Sequence, residues 1–257
     1  MIPHDDRGLL LGDGLFETLL AVDGHLPRLA AHLDRMAAGC EALNLPFDRD
    51  EAERVAREAV PEEGRFAVRL TLTAGSGGRG LDRPAAPAPI LFAKAAPSAP
   101  VTAPATVIVA TARRNEGSPA SRLKTLSYLD NVLARAEARA AGADEAVMLN
   151  NRGELACAAA ANLFWIKAGR LYTPRLDCGV LAGVTRARLM ALRAVEEVAV
   201  GVEALESAET IFLTNSLIGV REVSRLGERD FAPHPLVEEL AQLAVFHSTE
   251  SVLRGRR

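Results

Sequence analysis

Of the 30 basic residues in this chain only three are lysines: Lys94, Lys124 and Lys167. Positions that need only positive charge are filled with arginine here. A lysine kept against that bias marks chemistry that a guanidinium cannot perform, such as condensation of a neutral amine with an aldehyde. Lys167 stands in a Lys-Ala-Gly-Arg turn and reads as solvated, and Lys94 lies in a proline-flanked strand. An anion site is also visible. Val184 and Thr185 open a helix whose free N–H groups and dipole suit a dianion, and the Thr185 hydroxyl adds a donor. None of the five histidines (His4, His25, His32, His234, His247) falls in a metal-ligand spacing, so no metal is expected.

These residues need elements to position them. Leu29, Leu33, Met36, Cys40 and Leu43 recur at helical spacing, which predicts an amphipathic helix over 28–45, and an Arg/Glu-rich helix follows at 50–59. Phe66, Val68, Leu70 and Leu72 alternate with Ala67, Arg69 and Thr71, a strand pattern that the Gly-rich stretch 75–80 ends. Six prolines break 84–104 into short extended pieces, and 106–111 reads as a strand. Residues 113–122 read as the linker between an N-terminal half (1–112) and a C-terminal half (123–257). In the second half Ser127 and Asp130 suggest a capping box for a helix over 128–141 with Leu129, Val132, Leu133 and Ala136 on its buried face. Strands are expected at 144–149, 154–158, 162–167 and 210–214, with a helix from Thr185 and another from Pro235. The fold class is α+β (α/β) in two domains.

Composition narrows the partners. The chain is 49% hydrophobic and 25% charged, with a formal net charge of −3, enough to bury a core but not to attract nucleic acid or a membrane surface. Cys40, Cys157 and Cys178 form neither a CxxC pair nor a disulfide framework. The acidic start and the absence of a long apolar run lead to the expectation of a cytoplasmic protein.

The ordered segments 122–134 (Arg-Leu-Lys-Thr-Leu-Ser-Tyr-Leu-Asp-Asn-Val-Leu-Ala), 143–150, 153–164 ending Asn-Leu-Phe, Thr173-Pro174, 181–186 and 211–216, with Leu11-Gly-Asp-Gly-Leu-Phe-Glu-Thr18 at the start, resemble those of the class IV aminotransferases. The resemblance implies fold type IV, like D-amino acid aminotransferase, with pyridoxal 5′-phosphate as cofactor and Lys124 as its Schiff-base lysine. It further implies cofactor contacts from Val184, Thr185, Asn215 and Ser216, a phosphate-binding arginine at Arg69, and a homodimer whose partner completes the site. Arg113 and Arg114 are candidate ligands for a substrate carboxylate. One position departs from the family. Where its members carry a glutamate that faces the pyridine nitrogen, this chain has Cys157, and Glu154 is three residues away on the opposite strand face. A thiol is a weak partner for a ring nitrogen. Charge-assisted hydrogen bonds contribute ~1.5–3 kcal/mol, so a step that depends on that pairing slows by roughly one to two powers of ten.

Within the family, Asn162-Leu-Phe-Trp165, Tyr172 to Asp177, the 75–80 loop and Thr214 to Leu217 are most similar to the aminodeoxychorismate lyase branch, which forms 4-aminobenzoate and pyruvate for folate synthesis. The alternative is transamination of D-amino or branched-chain amino acids with 2-oxoglutarate. A third reading is a non-catalytic cofactor-binding paralogue, motivated by Cys157 and by a first strand that begins short.

Overall fold

The computed structural model describes residues 2–77 and 80–244, so His247 and part of the 75–80 loop lie outside the described residues. A short helix α1 (Arg7–Leu11) opens the chain, with the Asp6 side chain accepting from the Leu9 N–H at its N-terminus. The strand β1 (Gly14–Val22), the helices α2 (Leu29–Ala42) and α3 (Arg49–Glu58), and the strands β2 (Arg65–Thr73) and β3 (Ile90–Pro97) follow. The three strands form an antiparallel sheet in the order β1-β2-β3. The helical stripe and the strand alternation meet as expected: Leu29, Leu33, Met36 and Cys40 pack on Leu15, Leu19, Val68, Leu70 and Leu72. The proline-rich region carries more structure than its composition suggests, because β3 pairs with β2 along eight residues.

The second part contains β4 (Ala105–Val109), α4 (Pro119–Arg122), α5 (Leu129–Ala140), β5 (Glu145–Leu149), β6 (Leu155–Ala158), β7 (Asn162–Lys167), β8 (Arg170–Pro174), α6 (Val184–Leu192), β9 (Val195–Val198), α7 (Glu203–Glu206), β10 (Thr210–Asn215), β11 (Gly219–Leu226), β12 (Arg229–Asp230) and α8 (Pro235–Ala244). Its strands form one sheet in the order β6-β5-β4-β11-β10-β7-β8-β9, with β12 beside β11. The Ala158 N–H donates to Ala161 O across a tight turn that joins β6, an edge strand, to β7 near the other end. So short a connection makes the sheet curl. No helix among the described residues is long and apolar enough to cross a membrane.

Three expectations are corrected. The strand β4 lies between β11 and β5, parallel to both, so the chain passes from the smaller sheet to the larger at 98–104 rather than through a linker at 113–122. Arg114 and Ser121, within the expected linker, are buried. The helix α5 is turned differently from its apolar pattern. Leu129, Val132 and Leu133 are 67%, 59% and 53% exposed, and the buried face is Asn131, Ala134 and Ala138. Small side chains let α5 lie close to β5, and Asn131 is anchored by donating to Ala159 O at 2.7 Å. Tyr128 occupies the N-cap with no side-chain cap bond, so the Ser127–Asp130 box does not form.

Candidate active site

Lys124 precedes α5 in a segment stitched to the edge of the small sheet. The Phe16 N–H donates to Lys124 O at 2.9 Å, and the Leu126 N–H donates to Gly14 O at 3.0 Å. This pairing turns the lysine into a cleft between the two sheets. Its Nζ lies 3.2 Å from Tyr128 Oη and 4.2 Å from the centre of the Phe16 ring. Burial pushes the ammonium down to about 7, helped by Arg35, Arg69 and Arg114 and opposed by Glu17. Burial raises the Tyr128 phenol to about 12, so it remains a hydrogen-bond donor.

A lysine with that ionisation is about half free amine at pH 7 and mostly so above it, the form that condensation with an aldehyde requires. The sign is fixed: the ammonium dominates below about 7 and the amine above it. The initial rate of condensation with pyridoxal is expected to rise with pH and level off above that midpoint. A rate still climbing at pH 9, as for an ordinary lysine with pKa ≈ 10.4, contradicts the assignment.

The cleft is lined by Arg35, Arg114, Tyr128, Asn131, Cys157, Ala158 to Asn162, Gly183 to Thr185 and Thr214 to Leu217, among others. The run Ala158 to Ala161 keeps one wall free of bulk. The N-terminus of α6 also lines the cleft through Gly183, Val184 and Thr185, and its N-cap Gly183 makes no side-chain cap bond, so no capping side chain occupies the first-turn N–H groups. A Cβ at position 183 would stand 1.9 Å from Asn162 Oδ1, so any larger residue there would displace the Asn162 side chain. Asn162 in turn donates to Leu181 O at 2.9 Å, holding the loop before the helix.

Arg69 does not line this cleft. It shares a sheet face with its partner Thr18, which does line it, but its guanidinium lies over the Phe16 ring, 3.7 Å from the centroid. An arginine that does line the cleft is Arg35, absent from the sequence reading. Its Nε and one terminal nitrogen donate to Glu17 at 2.8 and 2.5 Å, and the other donates to Ala182 O at 3.1 Å. That leaves two of five N–H donors. The signal was present: Arg35 stands three residues after His32, on the side of α2 that packs against β1.

Arg113 is exposed and outside the lining. Arg114 lines the cleft but is buried and donates to Asn131 Oδ1 at 2.9 Å, Gly179 O at 3.3 Å and Ser121 O. With its bonds directed into the protein, it shapes the site rather than offering a free ligand for a substrate carboxylate. Asn215 lies in the lining, but its amide donates to Ala160 O and accepts from the Leu217 and Ile218 N–H groups, all at 2.9 Å, so it shapes the loop. Ser216, Val184 and Thr185 stand in the lining with Lys124. Cys157 is buried there, and burial pushes its thiol up, against the pull of Arg114, so it stays neutral. Glu154 is tied to Asn150, Arg152 and Cys178 outside the cleft.

A family model for class IV amino-transferases matches residues 14–226. The chain belongs to this family. Pyridoxal phosphate is the cofactor of class IV aminotransferases, and this chain is an enzyme-family member of fold type IV. A putative branched-chain-amino-acid aminotransferase of Methanocaldococcus jannaschii is 32% identical, over 87% of this chain and 82% of its own length. The aminodeoxychorismate lyase of Bacillus subtilis is 28% identical over 88% and 82%. The crystal structure of 4-amino-4-deoxychorismate lyase from Pseudomonas aeruginosa superposes with a TM-score of 0.87 at 30% identity, covering 94% of this chain and 93% of that one.

The cleft of this class IV protein fits the cofactor. It offers a neutral amine for the aldehyde, and Arg35, Ser216 and the α6 N-terminus for the phosphate. The buried Thr214 hydroxyl in its lining has no partner among the described residues, which leaves it for a ligand. Arg35→Gln is expected to weaken pyridoxal phosphate binding by about one to two powers of ten and to change pyridoxal binding little. A titration in which both ligands weaken equally contradicts a phosphate role.

Proposed function

We propose that this enzyme is an aminodeoxychorismate lyase that releases pyruvate and 4-aminobenzoate, with Lys124 as its catalytic residue. The observation that carries this reading is the pair Cys157 and Arg114. A neutral thiol stands where the family has a carboxylate, beside a buried guanidinium hydrogen-bonded to neutral acceptors. Such a site does not hold a proton on a ring nitrogen. Transamination relies on that proton, whereas an elimination that creates an aromatic ring has its own driving force.

Pyridoxal phosphate, when bound, supplies an aldehyde for amines and a conjugated ring that draws electrons from the amine-bearing carbon. The chain's residues do the rest. Arg35, Ser216, Thr185 and the α6 N–H groups bind the phosphate end. The Lys124 amine takes the proton from the amine-bearing carbon of the substrate at Nζ, with the Tyr128 phenol 3.2 Å away to orient it. Loss of that proton and cleavage of the ring carbon–oxygen bond complete the aromatic ring, and the proton passes from Lys124 to the departing enolpyruvate, which becomes pyruvate. Incubation with aminodeoxychorismate is expected to yield pyruvate stoichiometrically with 4-aminobenzoate. The archaeal relative's name favours a second reading, transamination. Glutamate formed from 2-oxoglutarate and an amino donor, without pyruvate release, would establish it. Neither product from cofactor-loaded protein would mean a non-catalytic paralogue.

The partner we propose is a second copy of the chain. Leu9, Leu10, Leu129, Val132 and Leu133 are exposed on α1 and α5, which adjoin where Gly12 meets Ser127. Tyr128 and Asn131 of the α5 segment line the cleft, so this apolar face borders the site. Val132→Glu with Leu133→Glu is expected to halve the mass found by sedimentation; unchanged mass contradicts the assignment of this face.

A further inference from the structure

A buried chain of hydrogen bonds crosses from the small sheet to the phosphate end of the cleft, and the lysine chemistry does not use it. Glu17 on β1 and His32 on α2 are each 1% exposed, and His32 Nδ1 lies 2.6 Å from Glu17 Oε2. His32 Nε2 lies 3.1 Å from the hydroxyl of Ser216, which lines the cleft after β10. The geometry fixes which atoms carry hydrogens. Burial opposes ionisation of Glu17, but Arg35 and His32 outweigh it and hold its carboxyl below the ordinary range. A carboxylate only accepts, so Nδ1 carries a hydrogen. Burial keeps the ring neutral, against the pull of Glu17 and with the push of Arg35 and Lys124. Nε2 is therefore an acceptor, and it takes the single proton of Ser216 Oγ.

That arrangement conflicts with anion binding. A phosphate dianion is itself only an acceptor, so Ser216 can donate to it only by turning its proton away from His32. Two lone pairs, on Nε2 and Oγ, would then face each other at 3.1 Å in a buried site. We propose that a phosphate monoester dianion enters this cleft together with one proton from solvent, which lodges on His32 Nε2, a role that rests on the phosphate placement given above. One N–H bond forms and Ser216 keeps its hydrogen. His32⁺ then donates to Glu17 and to Ser216 Oγ, and Ser216 donates to the phosphate. The charges facing His32 are Glu17 from β1, Arg35 on its own helix and Lys124 from the segment paired with β1; the β10–β11 loop contributes Ser216 and no charge. A dianion adds two negative charges, which the imidazolium partly offsets. Glu17 and His32 are thus positioning residues that make cofactor retention depend on pH.

The test uses pyridoxine 5′-phosphate, whose alcohol does not condense with Lys124, titrated into cofactor-free full-length protein at pH 8. At that pH the ligand is already a dianion, since the second phosphate pKa is about 6. Calorimetry in buffers of different ionisation enthalpy is expected to show close to one proton taken up per site, and affinity falling up to about tenfold per pH unit as pH rises. His32→Gln is expected to abolish the uptake, and Ser216→Thr to retain it. Nitrogen-15 NMR of wild-type His32 reports the same event without any variant, with Nε2 changing from acceptor to protonated on binding. Binding without uptake, uptake that persists in His32→Gln (placing the proton on Lys124), an unchanged Nε2 signal or no binding overturns the proposal. If pyridoxal phosphate still forms a reducible adduct at Lys124, only this proposal fails; if it forms none, the functional reading fails as well.

Discussion

Replacement of Lys124 by alanine is expected to leave a folded protein that still binds pyridoxal phosphate at its phosphate end but turns over at least about a thousandfold more slowly. The size follows from what the side chain does. A positioned general base contributes roughly 10²–10⁴ in rate, and the same amine holds the aldehyde covalently. Because the Lys124 side chain is half-buried against Phe16 and Tyr128 and its hydrogen bond goes to the Tyr128 hydroxyl rather than to the backbone, folding should survive its loss. The same rate ratio for Lys94→Ala or Lys167→Ala is expected to be near one. Steady-state kinetics with circular dichroism as a folding control checks this; Lys124→Ala with near-normal turnover refutes it.

Cys157→Glu carries the second large effect. A carboxylate at that position meets Arg114 and can face a ring nitrogen, which restores the charge-assisted bond that the thiol does not supply. Transamination of a test amino donor is expected to rise by about one to two powers of ten. Pyruvate release from aminodeoxychorismate should change much less, because aromatisation drives it. Measuring both rates on one preparation gives a ratio that is independent of active-site content. Equal changes in the two rates contradict the electronic argument and favour a packing explanation for Cys157.

Much of the site was legible in the sequence because its chemistry sits in local signals. Lys124 stood out as a rare lysine inside a recognisable segment, and Val184 with Thr185 marked a helix start. Arg35 escaped because an arginine on an amphipathic helix ordinarily reads as solvated. Its function depends on Glu17, eighteen residues away on a strand whose facing only tertiary packing decides. The phosphate role of Arg69 came from the resemblance, and the cleft lining does not include it. Strand alternation put it on the correct face, but the stacking of its guanidinium on Phe16 is a side-chain choice that periodicity does not encode. The same limit explains β4 and α5. Parallel pairing of β4 between β5 and β11 joins segments far apart in the chain. The helix α5 carries apolar residues on two faces, and the Ala134/Ala138 face wins the core because small side chains permit the closer approach.

The most direct test of the account is borohydride reduction of the cofactor-loaded enzyme, followed by mass spectrometry of its peptides. A single reduced pyridoxyl adduct on the peptide carrying Lys124 is the predicted result. An adduct on Lys94 or Lys167, or none on protein that has bound the cofactor, would contradict it.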